Sequence, residues 1–183
     1  MNYVYELPVG KGKLVGQGWS GPVNQILGGW QLTGIFTAKS GFPLSIAPAQ
    51  NTLGAFGGNQ RPNLIGDPTP ANQSITNWIN GAAFEQPDAF TYGDAPRTLD
   101  NLRSPHYVNW DMGIQKWWDF SEAKRLQFRL EMFNTFNHPN FFAPDLNLSD
   151  YHPDANGVNQ GNFGKISQAY PSRDVQAAVK FYW

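Results

Sequence analysis

Apolar and polar residues alternate with a period of two along several stretches of the chain, and this pattern predicts β-strands. In residues 125–136 every even position except Asn134 is apolar. Every odd position except Phe133 is polar. A helix would distribute these apolar residues around its circumference, whereas a strand places alternate side chains on opposite faces. The same reasoning predicts five strands, near residues 2–8, 29–46, 107–118, 124–137 and 172–183.

The connections between the predicted strands differ in length. Residues 119–124 form a short turn between the third and fourth strands, whereas residues 47–106 and 138–171 are long and rich in Asn, Gly and Pro. Such long connections are uncommon in compact domains and are usually functional. Between the first two strands, residues 22–27 predict one helical turn that ends at Gly28.

The apolar face of these strands needs an apolar partner, and two partners fit the pattern. In a soluble sandwich the partner is a second sheet, and in an outer-membrane barrel it is lipid, with the polar face lining the lumen. Strand length and the aromatic residues at 117–120 and 181–183 are typical of a barrel with interfacial aromatic girdles. The membrane interpretation therefore depends on lipid covering four side chains, those of Leu126, Phe128, Leu130 and Val179.

Seven segments of the chain carry a family resemblance. They are residues 3–13 (YVYELPVGKGK), 28–46 (GGWQLTGIFTAKSGFPLSI), 61–67 (RPNLIGD), 109–118 (NWDMGIQKWW), 125–141 (RLQFRLEMFNTFNHPNF), 163–166 (FGKI) and 171–183 (PSRDVQAAVKFYW). In this order they resemble the C-terminal end of TonB-dependent outer-membrane receptors, in particular the Oar-like group. In that group a carboxypeptidase-regulatory-like domain precedes the plug and the barrel.

The resemblance implies an all-β fold, an antiparallel meander of about five long strands that is a fragment of a large transmembrane β-barrel. Residues 47–106 and 138–171 are then two long irregular external loops, and residues 119–124 are a periplasmic turn. The smallest barrels have about eight strands, so we expect further strands and a plug in a parent protein.

The resemblance also implies a location and partners. The location is the cell outer membrane, and the partners are its lipid bilayer, the barrel-assembly machinery and the TonB complex, which acts through the plug. The implied activity is import of a bulky nutrient such as an oligosaccharide or a peptide, without catalysis. Three alternating C-terminal residues resemble the barrel-assembly signal, whose last residue is more usually Phe: Val179, Phe181 and Trp183.

The polar faces of the predicted strands supply most candidate site residues. Those expected to face the lumen are Asn109, Asp111, Gln115, Arg129, Glu131 and Lys180. We interpret the charged members as a cross-strand ladder within the barrel wall, and the alternative is contact with a plug or a solute. Four loop aromatics are candidates for stacking on a solute or for packing the loop on itself, namely Trp78, Phe84, Phe90 and Tyr92.

Composition excludes several functions. The net charge is -1, which provides no basic field for nucleic acid, and the absence of cysteine excludes disulfides, thiolate zinc sites and thiol catalysis. His106, His138 and His152 each adjoin a proline and are interpreted as turn residues, so we expect no metal or other cofactor. Two alternatives stay open, a soluble carbohydrate-binding β-sandwich module and a hydrolase that uses Glu122 or Asp111 as its acid or base.

Overall fold

The alternating segments fold as strands, joined by connections that contain short elements of their own. The computed structural model describes residues 1–54 and 60–183. Within these ranges the elements in chain order are β1 Asn2–Glu6, α1 Gly21–Leu27, β2 Trp30–Lys39, β3 Pro43–Leu44, β4 Asn63–Leu64, a 3-10 helix Gly81–Ala83, β5 Phe84–Glu85, β6 Leu99–Arg103, β7 Tyr107–Asp119, β8 Arg125–Phe133, a 3-10 helix Leu148–Asp150 and β9 Asp174–Tyr182.

Five strands form the main sheet, in the order β1-β2-β7-β8-β9. The register between β7 and β8 places Met112 opposite Met132, and between β8 and β9 it places Met132 opposite Val175. Apolar residues therefore meet apolar residues across the strands, as the alternation requires. The predicted fold class, an all-β antiparallel meander of five strands, is confirmed, and the sheet is open with β1 and β9 at its edges.

The chain divides into two compact units. The sheet unit comprises Met1–Lys39, Val108–Pro139 and Pro171–Trp183, and the loop unit comprises Ser40–Tyr107 and Asn140–Tyr170. The sheet unit contains the main sheet and α1. The loop unit contains the two-stranded sheets β3–β6 and β4–β5 and both 3-10 helices.

The second strand is shorter than the sequence predicts. It ends at Lys39 instead of continuing to residue 46, and Pro43 pairs with Arg103 in a separate small sheet. The chain passes so close to a neighbouring segment that a Cβ added at Gly41 would lie 1.7 Å from the carbonyl oxygen of Ser104. This close approach involves residues far apart in sequence, so alternation does not reveal it.

The loop unit contains the buried apolar core. Its members come from both segments of the loop unit and are Leu44, Ile46, Ile79, Ala83, Phe84, Leu99, Leu102, Leu148 and Phe163. The two long connections are mostly irregular, as predicted, and they also contain short regular elements and share one core. Residues 140–170 contribute only Leu148 and Phe163, so the core joins segments that are distant in sequence.

The sheet unit does not bury the apolar residues on which the membrane interpretation depends. Leu126, Phe128 and Leu130 are half-buried, and Val179 is 65% exposed. None of the four belongs to the buried core of the described residues. Among residues 1–54 and 60–183, no helix is long and apolar enough to cross a membrane.

Candidate functional site

One face of the main sheet is apolar along most of its length. We call it the apolar face and define it by the side chains that share the parity of Trp110 on β7. Its four cross-strand rows over β7, β8 and β9 are Met112–Met132–Val175, Ile114–Leu130–Ala177, Lys116–Phe128–Val179 and Trp118–Leu126–Phe181. Eleven of these twelve side chains are apolar or aromatic, which makes this surface suited to contact with hydrocarbon.

An aromatic cluster lies at one end of the apolar face, with Trp110 at its centre. The ring centroid of Trp110 is 6.5 Å from that of Tyr3, 5.6 Å from Phe36 and 5.4 Å from Phe136. Trp110 Nε1 donates a hydrogen bond of 3.1 Å to Tyr3 Oη. Gly34 makes room for this packing, because an added Cβ would lie 2.3 Å from the Tyr3 ring.

A second cluster lies towards the other end of the same face. Trp30 meets Phe128 edge to face, with ring centroids 6.2 Å apart. Lys116 lies between two indoles, with Nζ 5.4 Å from the Trp30 ring centroid and 5.3 Å from that of Trp118. Its Nζ also donates a hydrogen bond to the carbonyl oxygen of Gly28, and the whole residue is only 2% exposed.

The separation of the two clusters matches the two interfaces of a membrane. Trp110 and Trp118 are eight residues apart on β7, which corresponds to about 26 Å along a strand at about 3.3 Å per residue. A strand tilt of about 40° reduces this to about 20 Å along the membrane normal, close to the roughly 25 Å apolar band of outer-membrane barrels. Because aromatic rings favour the headgroup boundary, the clusters fit two aromatic girdles.

The opposite face is polar, and its side chains bond to one another across strands. Gln115 Nε2 donates to Gln31 Oε1, and Gln127 Nε2 donates to Gln115 Oε1 at 3.2 Å. Thr33 Oγ1 donates to the carbonyl oxygen of Gly113 at 3.3 Å. These bonds cross from β2 through β7 to β8, so the predicted residue Gln115 lies in the middle of a polar network.

The structure brings two further predicted residues together, Asn109 and Asp111. Asn109 Nδ2 donates to Asp111 Oδ1 at 2.8 Å, and the backbone N–H of Asn134 donates to the same oxygen at 2.9 Å. A cavity of about 400 Å³ opens beside them, with Asp111, Gly113 and Glu131 in its lining. A Cβ at Gly113 would lie 2.6 Å from Thr33 Oγ1, so the glycine makes room for the Thr33 side chain.

Arg129 and Glu131 form an ion pair along β8 instead of a ladder across strands. The register places Arg129 opposite Gln115 and Ala178, and Glu131 receives a cross-strand hydrogen bond of 2.8 Å from Gln176 Nε2. Lys180 lies opposite Gln127 on the same face. The structure therefore groups all six residues on the polar face, but the charges do not alternate from strand to strand.

The four loop aromatics have different surroundings. Phe84 is 5% exposed and packs in the core with its ring centroid 6.2 Å from that of Phe163, so it has no open face for a solute. Trp78 is half-buried against the core, and its Nε1 donates to the carbonyl oxygen of Arg103 at 2.7 Å. Phe90 and Tyr92 are 79% and 75% exposed, which leaves these two rings accessible.

A polar cavity of about 710 Å³ opens in the loop unit. Gln50, Asn147, Arg61 and Arg97 are among the residues that line it. Both arginines are exposed, and no salt bridge to either is formed within the described ranges. Guanidinium groups bind carboxylates and phosphates in bidentate geometry, so this cavity suits a polar solute with negative charge.

The remaining titratable residues of the described ranges do not form a metal site, and the two candidate acid or base residues lie in different elements. In the part of the chain that the structure describes, no group of three His, Cys, Asp or Glu residues is arranged to hold a metal ion. Glu122 is an exposed residue of the connection between β7 and β8, whereas Asp111 lies within β7. Asp154 accepts hydrogen bonds from the backbone N–H groups of Val158 and Asn156, which hold the pKa of its carboxyl below the ordinary value of 3.8.

Lys116 is a site residue that was not predicted from the sequence. Its position has the same parity as Trp110, Met112 and Ile114, so alternation alone places a charged side chain on the apolar face. The pattern shows where Lys116 lies, but its partners Trp30 and Gly28 are more than eighty positions away in sequence and emerge only from the folded structure.

One family of known proteins matches the chain. Its model, described as an outer membrane beta barrel domain, matches residues 1–176. No curated protein matches the chain, and no solved structure matches it. The family match covers β1, β2, β7 and β8 completely and the first three residues of β9.

Proposed function

The chain belongs to the outer membrane beta barrel domain family, and from this premise we propose that it forms part of the barrel of a TonB-dependent receptor of the Oar-like group. In this proposal the receptor imports a bulky nutrient across the outer membrane. The seven segments that resemble that group support the narrower assignment, and the apolar face with its two aromatic clusters supports membrane insertion.

The observation that carries the proposal is the asymmetry of the connections. The antiparallel order of the strands sends residues 40–106 and 134–173 from the same end of the sheet, and most of these residues belong to a loop unit with its own core. The other end has the turn between β7 and β8 and the connection that contains α1. Transmembrane barrels have short periplasmic turns and longer external loops, so this arrangement favours a receptor that captures a solute outside.

Each region then has a role. The apolar face contacts the lipid, and Asn109, Asp111, Gln115, Arg129, Glu131 and Lys180 face the lumen, where the 400 Å³ cavity offers a contact for a plug. A plug would connect the barrel to the TonB complex. Val179 and Phe181, alternate residues of edge strand β9, and the following Trp183 provide the signal read by the barrel-assembly machinery. We assign no catalytic role to the chain.

The loop unit supplies the solute site in this proposal. The 710 Å³ cavity with Arg61 and Arg97 favours an acidic oligosaccharide or an acidic peptide, and the exposed rings of Phe90 and Tyr92 offer surfaces for stacking. A neutral solute would use the amide groups of Gln50 and Asn147 but would leave both guanidinium groups in water.

The test measures uptake by cells that carry the complete gene encoding this chain. We expect uptake of radiolabelled acidic oligosaccharides or peptides that stops when a protonophore dissipates the proton-motive force. Replacing Arg61 and Arg97 together by Gln should reduce uptake at least about tenfold, the loss expected for charge-assisted bonds. Lys124→Gln removes a positive charge from the turn between β7 and β8 in the sheet unit and serves as the matched control.

Two outcomes would count against the proposal. Uptake that persists with the protonophore would exclude a TonB-dependent mechanism and favour passive diffusion through a pore. Uptake that depends on the proton-motive force but is unaffected by the double substitution would agree with a TonB-dependent receptor. It would show that the solute does not bind in the cavity that contains the two arginines.

A further inference from the structure

Three side chains on the apolar face donate hydrogen bonds to one short helical segment. Trp118 Nε1 and Trp30 Nε1 donate to carbonyl oxygens in the last turn of α1, at 2.8 Å and 3.0 Å. Lys116 Nζ donates to the carbonyl oxygen of Gly28, the residue that follows the helix. The last carbonyls of a helix lack partners within it, so α1 is attached to the sheet through its own unsatisfied backbone groups.

The helix exposes an apolar stripe. Val23, Ile26 and Leu27 occupy positions i, i+3 and i+4 and are 40%, 67% and 50% exposed, respectively. This spacing places the three side chains on one side of the helix. The helix contains no charged residue. A polar contact is made by Asn24, whose Oδ1 accepts a hydrogen bond of 2.6 Å from the backbone N–H of Lys11.

We propose that α1 is an interfacial helix, whose apolar stripe enters the boundary between the headgroups and the acyl chains of a phospholipid leaflet. The helix that carries this stripe is bonded to Trp30, Lys116 and Trp118 on the apolar face. Outer-membrane barrels present an apolar band to lipid, so for a chain of this family we assign the apolar face to the lipid. The inference rests on this membrane assignment and not on the solute or the TonB complex.

Lys116 is the positioning residue for this helix. A charged side chain on a lipid-facing surface is costly unless it is paired or reaches the interface. Lys116 achieves this through the carbonyl oxygen of Gly28 and the faces of two indoles. The helix therefore shields the ammonium group of Lys116, and the ammonium group in turn holds the helix against the sheet.

The first experiment measures the depth of α1 in the membrane. The chain contains no cysteine, so a nitroxide can be placed on a single cysteine at Ile26, with references at Ala177 on the apolar face and Asn72 in the loop unit. In the full chain folded into vesicles of phosphatidylethanolamine and phosphatidylglycerol, we expect the Ile26 label about 5–10 Å below the headgroups. The Ala177 label should lie deeper, and the Asn72 label should be in water.

The references separate two kinds of failure. If the Ile26 label is as accessible to water-soluble relaxants as the Asn72 label while Ala177 lies in the bilayer, the interfacial helix is excluded and the barrel remains. If the Ala177 label is also in water, the apolar face does not contact lipid, and both the inference and the proposed function fail.

The second experiment tests the attachment. In Lys116→Met the side chain keeps its length but loses its charge and donor, so we expect amide hydrogen exchange in α1 to accelerate by about tenfold. Lys116→Arg should restore protection because the guanidinium also donates. The matched control is Lys180→Met, which makes the same change on the polar face and should leave exchange in α1 unchanged.

A further variant keeps the test informative if Lys116→Met does not fold. Trp118→Phe retains the aromatic ring but removes the Nε1 donor to the carbonyl oxygen of Gln25, so α1 should lose part of its protection. Unchanged exchange in α1 in the folded lysine and tryptophan variants would exclude the attachment. Protection that Lys116→Arg fails to restore would exclude the proposed role of the cationic donor.

Discussion

The two units of the molecule differ in which side chains they bury. In the loop unit, Leu102 and Phe163 are almost completely buried, at 0% and 2% exposure. In the sheet unit the buried side chains are polar, with Lys116 at 2% and Gln127 at 6%, whereas Val179 is 65% exposed. One chain therefore contains both a conventional apolar core and a sheet with the reverse arrangement.

This contrast shows that the two units are adapted to different solvents. Exposing apolar surface to water costs about 25 cal/mol per Å², which explains why the loop unit collects its leucines and phenylalanines into a core. Lipid tails are as apolar as leucine, so the same surface has no such cost in a membrane. On the opposite face of the sheet, polar side chains bond to one another across the strands.

The largest expected effect comes from truncating a leucine in each unit. Leu102→Ala leaves a cavity in a packed core and should lower the free energy of unfolding by about 2–5 kcal/mol. Leu130→Ala on the apolar face should lower it by less than about 1 kcal/mol, because acyl chains fill the vacated space. Chemical unfolding in phospholipid vesicles measures both values. Equal losses would show that Leu130 also packs in a protein core.

A second comparison uses two adjacent alanines on opposite faces of β9. The register places Ala177 opposite Leu130 on the apolar face and Ala178 opposite Arg129 on the polar face. Ala177→Arg should destabilise the protein in vesicles by about 2–4 kcal/mol if it lies near the midplane. Ala178→Arg should cost a few tenths of a kcal/mol through repulsion from Arg129. The reverse order would exchange the lipid and lumen faces.

The smallest effect is a local change in the loop unit with pH. The N–H groups of Val158 and Asn156 hold the pKa of Asp154 below its ordinary value of 3.8. This carboxylate therefore orders the segment above the unfolded pKa, and that contribution is lost as the pH falls through the lower, folded pKa. Amide NMR shifts of Asn156 and Val158 should follow one titration below pH 3.8, and both should be pH-independent there in Asp154→Asn.

Alternation made the main sheet predictable, because the geometry that sends side chains to opposite faces is local. Residues 125–136 show the apolar and polar faces without reference to the rest of the chain. The end of β2 was not predictable, since the approach of Gly41 to Ser104 joins positions 63 residues apart. The ion pair between Arg129 and Glu131 also escaped prediction, because rotamer and neighbours decide which charged group a side chain meets.

The sequence by itself determined the class of fold, the two faces of the sheet and the position of Lys116 on the apolar one. The tertiary structure decided which groups meet: Leu44, Leu102 and Phe163 as one core, and Lys116 beneath the end of α1. Periodicity shows to which face of the strand a side chain points. Which other residues that side chain contacts depends on how distant segments of the chain pack. For that reason the sequence specifies the surfaces, and folding specifies what covers them.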